Sequence, residues 1–212
     1  MSGADLSGAD LTDAQFIGPA DLSDVDFNSA KLVRASFVED SVLDLTVSGD
    51  FRRANLTNAN VYGLTLVGDF SHADMSAMQF RWNSGAVGTF DHTDLSGALF
   101  SRASGISGVL RTADLSHTTW IQNDGPGGDV RGTDLSYASF SYVTLSRDYT
   151  DVGFRNATLY ESSAVGANFT RADFAGADLI GDNAAGPSVT FTDVIWFDTI
   201  CPDGVPRSTP CV

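Results

Sequence analysis

The sequence predicts an all-β solenoid, a chain that turns through about a quarter circle every five residues and stacks coil upon coil. Three observations lead there. Large apolar residues recur every five positions with a small residue two places earlier, as in Ala4-Asp5-Leu6, Ala9-Asp10-Leu11 and Ala54-Asn55-Leu56. A five-residue period fits neither the helical 3.6 nor the strand 2.0, so neither an amphipathic helix nor a flat sheet keeps one side buried along it. And although 27 Asp+Glu against 12 Lys+Arg leave a net charge of -15, the 212 residues are 42% hydrophobic and include 14 Phe, enough for a packed core.

Further copies of the motif A(D/N)(L/F)xx stand at Ala73-Asp74-Met75, Ala113-Asp114-Leu115, Ala167-Asn168-Phe169, Ala172-Asp173-Phe174 and Ala177-Asp178-Leu179. In this the sequence resembles the pentapeptide-repeat family over nearly its whole length, from about residue 4 to about residue 197. The resemblance implies a right-handed quadrilateral parallel β-helix with four repeats per coil, the central Leu or Phe and the preceding small residue pointing inward. A narrow interior accepts one large and one small side chain per face, and Asp, Asn, Ser and Thr suit the corners. On this reading residues 1–197 form the β-helix, on the order of ten coils and roughly 45–50 Å long at the usual strand spacing, and residues 198–212 a capping tail.

From Phe70 the central positions run in steps of five to Leu145 and place Gly85, Gly105 and Gly125 on one face of three successive coils. Loss of the large side chain there predicts a thin or reshaped face. The spacing shortens to four on the same side, at Val47 to Phe51, Leu66 to Phe70 and Leu145 to Tyr149, so one irregular face should run up the body, as a relaxed corner or as a ligand-facing groove. Insertions at Ile17-Gly18-Pro19 and around Gly181 to Pro187 read as surface loops. Coils bury their core only against neighbours, so both ends need caps. The Val194-Ile195-Trp196-Phe197 cluster and the loop after it suit the C-terminal end. With repeats starting almost at Met1, the first coil is expected to be uncapped, which leaves end-to-end or homodimeric association open, or to follow a leader or domain of a longer protein.

Cys201 and Cys211 both lie in the tail ICPDGVPRSTPCV, away from His72, His92 and His117, so they have no metal-site partner. A disulfide closing this tail is expected, and with it an oxidising compartment; two unpaired thiols in a cytoplasmic tail are the alternative. The tail also resembles the terminal signature of secreted bacterial pentapeptide-repeat proteins, which implies a secreted or periplasmic setting.

Outside, Asp74, Asp94, Asp114 and Asp134 fall at equivalent places in four coils and should form a ladder, with Ser76, Ser96, Ser116 and Ser136 beside it and Asn55 extending it. Such carboxylates either bond local backbone amides and solvate the surface, or present it to a basic partner. His72 and His92 should stack one coil apart, Trp120 should be core, and Trp82 should be exposed on the irregular side. No GxSxG, HExxH or phosphate-binding glycine loop is present, and no cysteine is placed with a histidine, so we expect no enzyme, no cofactor and no metal site.

The acidity opposes nucleic acid and anionic membrane, and no apolar run is long enough to span a bilayer. The function expected is a non-enzymatic, exported scaffold that binds a protein, one with a basic surface, through an acidic rod. The family resemblance implies an alternative: some members mimic a DNA duplex and inhibit or protect type II topoisomerases such as DNA gyrase, although those members dimerise through a C-terminal helix and this tail has no helical period.

Overall fold

The computed structural model describes residues 1–18, 22–39, 45–82, 84–179 and 189–211, and every regular element among them is a β-strand. A chain that buries a residue and then turns every five positions has no length to pair with its own neighbours. Its amides bond the coils above and below instead. The Asp74 N–H donates to the Ala54 carbonyl at 2.9 Å and the Met75 N–H to the Asp94 carbonyl at 2.7 Å, and this two-way bonding repeats along the body. The result is a four-sided parallel β-helix.

Each face has its own inward column. The first face carries Phe27, Phe51, Phe70 and Phe90, the second Leu56, Met75, Leu95 and Leu115, the third Phe80, Phe100, Trp120 and Phe140, and the fourth Val47, Leu66, Ala86 and Ile106, all of them buried. The third face holds an eight-stranded sheet of β1 (Gln15–Ile17), β3 (Ser36–Val38), β5 (Asn60–Tyr62), β7 (Gln79–Arg81), β9 (Leu99–Ser101), β11 (Thr119–Ile121), β12 (Ser139–Ser141) and β13 (Thr158–Tyr160). Bridges from Thr158 to Asp178 and from Asp178 to Ile200 add two rungs, ten on that face among the described residues. The fourth face holds β2 (Val25–Asp26), β4 (Leu45–Asp50), β6 (Leu64–Asp69), β8 (Gly85–Thr89) and β10 (Gly105–Val109).

Stacking like on like fills the interior. Phe27, Phe51, Phe70 and Phe90 lie ring over ring at 5.0, 4.8 and 5.0 Å, and Trp120 sits 4.0 Å above Phe100. Offset aromatic stacks of this kind add about 0.5–1.5 kcal/mol per pair beyond the area they bury. The Trp120 Nε1–H, which would otherwise be a buried orphan, donates to Thr118 Oγ1 at 2.9 Å. Where Thr replaces Ala at the small position, as at Thr93 and Thr133, its hydroxyl donates to a carbonyl of the preceding coil.

Corners are tight turns whose third residue takes positive φ, as a type II turn requires. Non-glycine residues accept this at His72 (φ 61°), Trp82 (53°), His92 (55°) and Tyr142 (58°). The strain of roughly 1–2 kcal/mol at each is offset because the same amide reaches the next coil, as the His72 N–H does to the Asp91 carbonyl at 2.8 Å.

The irregular face differs from the expectation in register. Gly85, Gly105 and Gly125 do stack, but they enter the fourth face and are not its inward centre. One residue later, Ala86 and Ile106 supply buried side chains, and Pro126 is buried at the equivalent place. The step from the third face to the fourth is therefore six residues in these coils and the next step is four. A second glycine column explains the short step: Gly49, Gly68, Gly88, Gly108 and Gly128 lie in register, and a Cβ on Gly88 would sit 1.7 Å from the Gly68 carbonyl oxygen. The four-residue turn draws the coils so close there that only a hydrogen fits. The interior of this face is filled by Ala86 and Ile106, and the face is strand-rich.

Gly18 takes φ +78°, while Pro19 and the expected loop at 181–187 lie outside the described residues. At the C-terminal end the cluster at 194–197 supplies a further inward residue, Trp196, stacked 5.4 Å from Phe174, with Ile195 and Phe197 turned to solvent. Cys201 fills the last inward position of the third face, bonded to Cys211 with Cα atoms 5.3 Å apart. The chain between them folds back so that β15 (Pro206–Arg207) pairs antiparallel with β14 (Thr199–Ile200), just before Cys201. At the other end Leu6, Leu11 and Phe16 are only partly buried.

Two outcomes follow for stability. Gly88→Ala should cost about 3 kcal/mol or more, whereas Gly8→Ala, with nothing within 4 Å of the added methyl, should cost only the left-handed strain of about 1 kcal/mol; chemical denaturation followed by circular dichroism checks the difference. Alkylation of the unreduced protein should label no thiol, and reduction should lower the stability of the last rungs by about 3 kcal/mol on loop entropy, seen as earlier hydrogen exchange at residues 190–201.

Candidate functional site

On the outer surface the residue just before each inward one aligns with its counterparts. On the second face this column reads Asp10, Lys31, Asn55, Asp74, Asp94, Asp114, Asp134, each bridged to the next. The four carboxylates of the predicted ladder thus stack in register. Each is also bonded locally, since Asp74, Asp94, Asp114 and Asp134 accept the backbone N–H of Ser76, Ser96, Ser116 and Ser136 at 2.9–3.0 Å. This closes an Asx turn and leads the chain into the corner. Asn55 and Asn168 close the same turn without a charge, at 3.0 and 3.1 Å.

A second ladder, which counting by twenties does not reveal, lies on the adjoining first face. Asp5, Asp26, Asp50 and Asp69 are bridged in series and accept the N–H of Ser7, Asn28, Arg52 and Ser71. Unequal insertions between these residues hide the alignment. The signal that could have found it is the Asp that precedes Leu6, Phe27, Phe51 and Phe70 in each case. The two ladders meet at Asp69 and Asp74, so an acidic band climbs one face and continues on the next.

Most cations are spent on surface carboxylates. Arg34 pairs with Asp13, Arg52 with Asp50, Arg171 with Asp151, and Arg111 and Arg131 together with Asp129. Among the described residues Asp74, Asp94, Asp114 and Asp134 take part in no ion pair within salt-bridge distance. Hydrogen bonds from Arg131 and then Arg111 hold the Asp129 carboxyl far below the usual carboxylate range, and Arg52 and Arg171 lower Asp50 and Asp151 in the same way.

His72 and His92 stack as expected, with ring centroids 5.0 Å apart and planes at 22°. Stacked rings do not converge their nitrogens on one point, and among the described residues no group of three His, Cys, Asp or Glu side chains is placed to hold a metal. His117 lies at another corner, stacked on Tyr137 at 4.8 Å. Beside His72 a shallow depression of about 310 Å³ is lined by Asn28, Arg52, Arg53, Asp69, Ser71 and His72. Within it the Ser71 hydroxyl donates to Asp69 Oδ1 at 2.6 Å. Trp120 is buried and Trp82 is exposed, both as expected.

A sequence profile described as Pentapeptide repeats matches in eight copies, over residues 1–18 and 154–181. Those two stretches carry pentapeptide repeats. Between the two matched stretches the five-residue pattern bends at the fourth face, where the steps of six and four lie. Among solved structures, this chain is similar to HetL, a pentapeptide repeat protein involved in heterocyst differentiation regulation from the cyanobacterium Nostoc sp. strain PCC 7120, with 18% identity, 98% of this chain and 89% of that one covered, and a TM-score of 0.35. It is also similar to a trypsin-treated form of QnrB1, a plasmid-mediated fluoroquinolone resistance protein, with 19% identity, 90% and 84% covered, and a TM-score of 0.32. A third is Rfr23 from the cyanobacterium Cyanothece 51142, with 18% identity, 91% and 84% covered, and a TM-score of 0.20. None of the curated proteins matches the chain.

The ion pairs make an acid-sensitive element. A carboxyl whose folded value is depressed contributes stability that is complete above its unfolded value near 4, and that stability is lost as pH falls below it. Stability should be level from pH 7 to about 5 and decline below about 4. In Asp129→Asn the decline should be shallower, as measured by denaturant midpoints across that range.

Proposed function

We propose that this chain is a non-enzymatic scaffold that docks its acidic first and second faces on a basic protein surface. What supports the reading is the free ladder Asp74, Asp94, Asp114 and Asp134. Asn closes the same turn at Asn55 and Asn168, so the fold does not require these four charges. Their repulsion at the rung spacing of about 4.8 Å is a cost that a partner's Lys and Arg side chains would relieve on contact. Complementarity of this kind speeds encounter and is weakened by salt. The buried Cys201–Cys211 bond supports placing the protein in an oxidising, extracytoplasmic compartment.

A second reading takes the basic surface to be the DNA-binding saddle of a type II topoisomerase. The straight, rung-spaced carboxylates favour it. The disulfide-closed pair β14 and β15 counts against it, since it stands where the topoisomerase-directed members carry a dimerising helix.

The variant Asp74→Asn/Asp94→Asn/Asp114→Asn/Asp134→Asn separates the charge from the turn. It should unfold within about 0.5 kcal/mol per site of the parent, while the four Ala substitutions should cost about 1 kcal/mol each. Immobilised poly-lysine should hold the parent protein at low salt and the Asn variant much more weakly; equal retention would show that the ladder is only a turn device. A DNA gyrase supercoiling assay at two salt concentrations addresses the second reading, which requires a salt-sensitive effect of the parent that the Asn variant lacks.

A further inference from the structure

We propose that the corner between the third and fourth faces, around Trp82, binds an acidic polysaccharide, with a pyranose ring stacked on the indole and its carboxylate paired with Arg81 and Arg102. Trp82 is 51% exposed, whereas a tryptophan without a ligand or a core normally hides its ring. One face of the indole is covered by the Arg102 guanidinium, 4.9 Å from the ring centroid. On the other side the corner residue of the preceding coil is Gly63, whose amide donates to the Trp82 carbonyl at 3.1 Å, so no side chain of that column covers the ring. Arg102 is fixed from above, its Nε donating to Gln122 Oε1 at 2.8 Å, which leaves its terminal nitrogens to a ligand.

The charge pattern commits the ligand to an acid. Eight of the 12 cations are ion-paired to aspartates, but Arg81 and Arg102 are exposed and have no carboxylate partner among the described residues. In the coils on either side the corner positions are Gly63 and Gln122, both uncharged. The acidic ladders lie on the first and second faces, around the body and beyond the screening length of about 8 Å at physiological salt, so the net charge of -15 does not cancel this local positive spot.

The neighbouring floor commits it to a sugar. On the third face Gln79 and Thr119 stand either side of Leu99, and Ser101 stands between Arg81 and Ile121; the amide and hydroxyls can read ring hydroxyls, and Leu99 and Ile121 suit the apolar face of a sugar ring. Three rungs along the same corner, roughly 14 Å away, Tyr142 and Tyr160 form an exposed edge-to-face pair at 5.8 Å, but Glu161 bonded to Tyr160 carries a negative charge there, so the acidic ligand is held at Trp82.

Because Trp120 and Trp196 are buried, a surface ligand can contact only Trp82, and the change in emission reports on it. Titration with oligogalacturonate should give a saturable emission change that weakens several-fold on raising the salt. By calorimetry, Trp82→Gly, which suits the left-handed corner as Gly63 does, and Arg81→Gln should each bind at least tenfold more weakly with unchanged circular dichroism. The proposal is overturned if no saturable change occurs, if Trp82→Gly binds as the parent does, or if cello-oligosaccharide or poly-glutamate binds as tightly as oligogalacturonate, since the first lacks the acid and the second lacks the ring.

Discussion

The hydrogen bond from each coil to the next is the constraint on which everything else in this molecule depends. Since the amide before an inward residue bonds downward and the amide of the inward residue bonds upward, as at Asp74 and Met75, each residue is locked about 4.8 Å above a counterpart. Every chemical choice made at one position is thereby juxtaposed with the choice made one coil away. Benzene rings meet benzene rings inside, and carboxylates meet carboxylates outside. Glycine meets a backbone carbonyl where the coils are drawn together. The stability of such a body is that of its rungs and of the contacts between adjacent rungs, with no long-range core to average out a local fault.

Much of this is legible in the sequence because the period is written in side-chain size. The three regular faces, the ladder from Asp74 to Asp134, the buried Trp120 and the pairing of Cys201 with Cys211 all follow from counting fives or from the isolation of the tail. On the fourth face the count is wrong by one residue. It places Gly85, Gly105 and Gly125 at the centre because they keep the numerical step, but burial follows shape, and Ala86 and Ile106 are the side chains that reach the interior. The glycine column from Gly49 to Gly128 is invisible to counting for a related reason: what selects it is a backbone-to-backbone approach, and no periodicity of apolar residues records that. The first-face ladder is hidden by insertions that alter the numbering between coils but leave the stacking intact.

The four faces divide the surface by chemistry. Two carry the aspartate ladders, and their turn-closing role explains why this fold gathers acidity wherever it has corners to make; it does not explain why Asp is used at four consecutive rungs when Asn serves at Asn55. At the corner between the third and fourth faces, arginines without a carboxylate partner among the described residues and exposed aromatic rings collect instead, with Glu161 further along. A partner of one sign and a ligand of the other could therefore occupy the same rod at once, separated by its thickness.

The positive-φ corners have a wider implication. Residues as different as Trp82, Arg102, Gln122, Tyr142 and Glu161 take the same left-handed conformation in one column, so the fold exacts a similar local cost for many side chains, β-branched ones excepted. Surface identity and architecture are uncoupled at these points. A lineage built this way can rewrite its recognition pattern one coil at a time, as type is reset in a frame, without passing through an unfolded sequence.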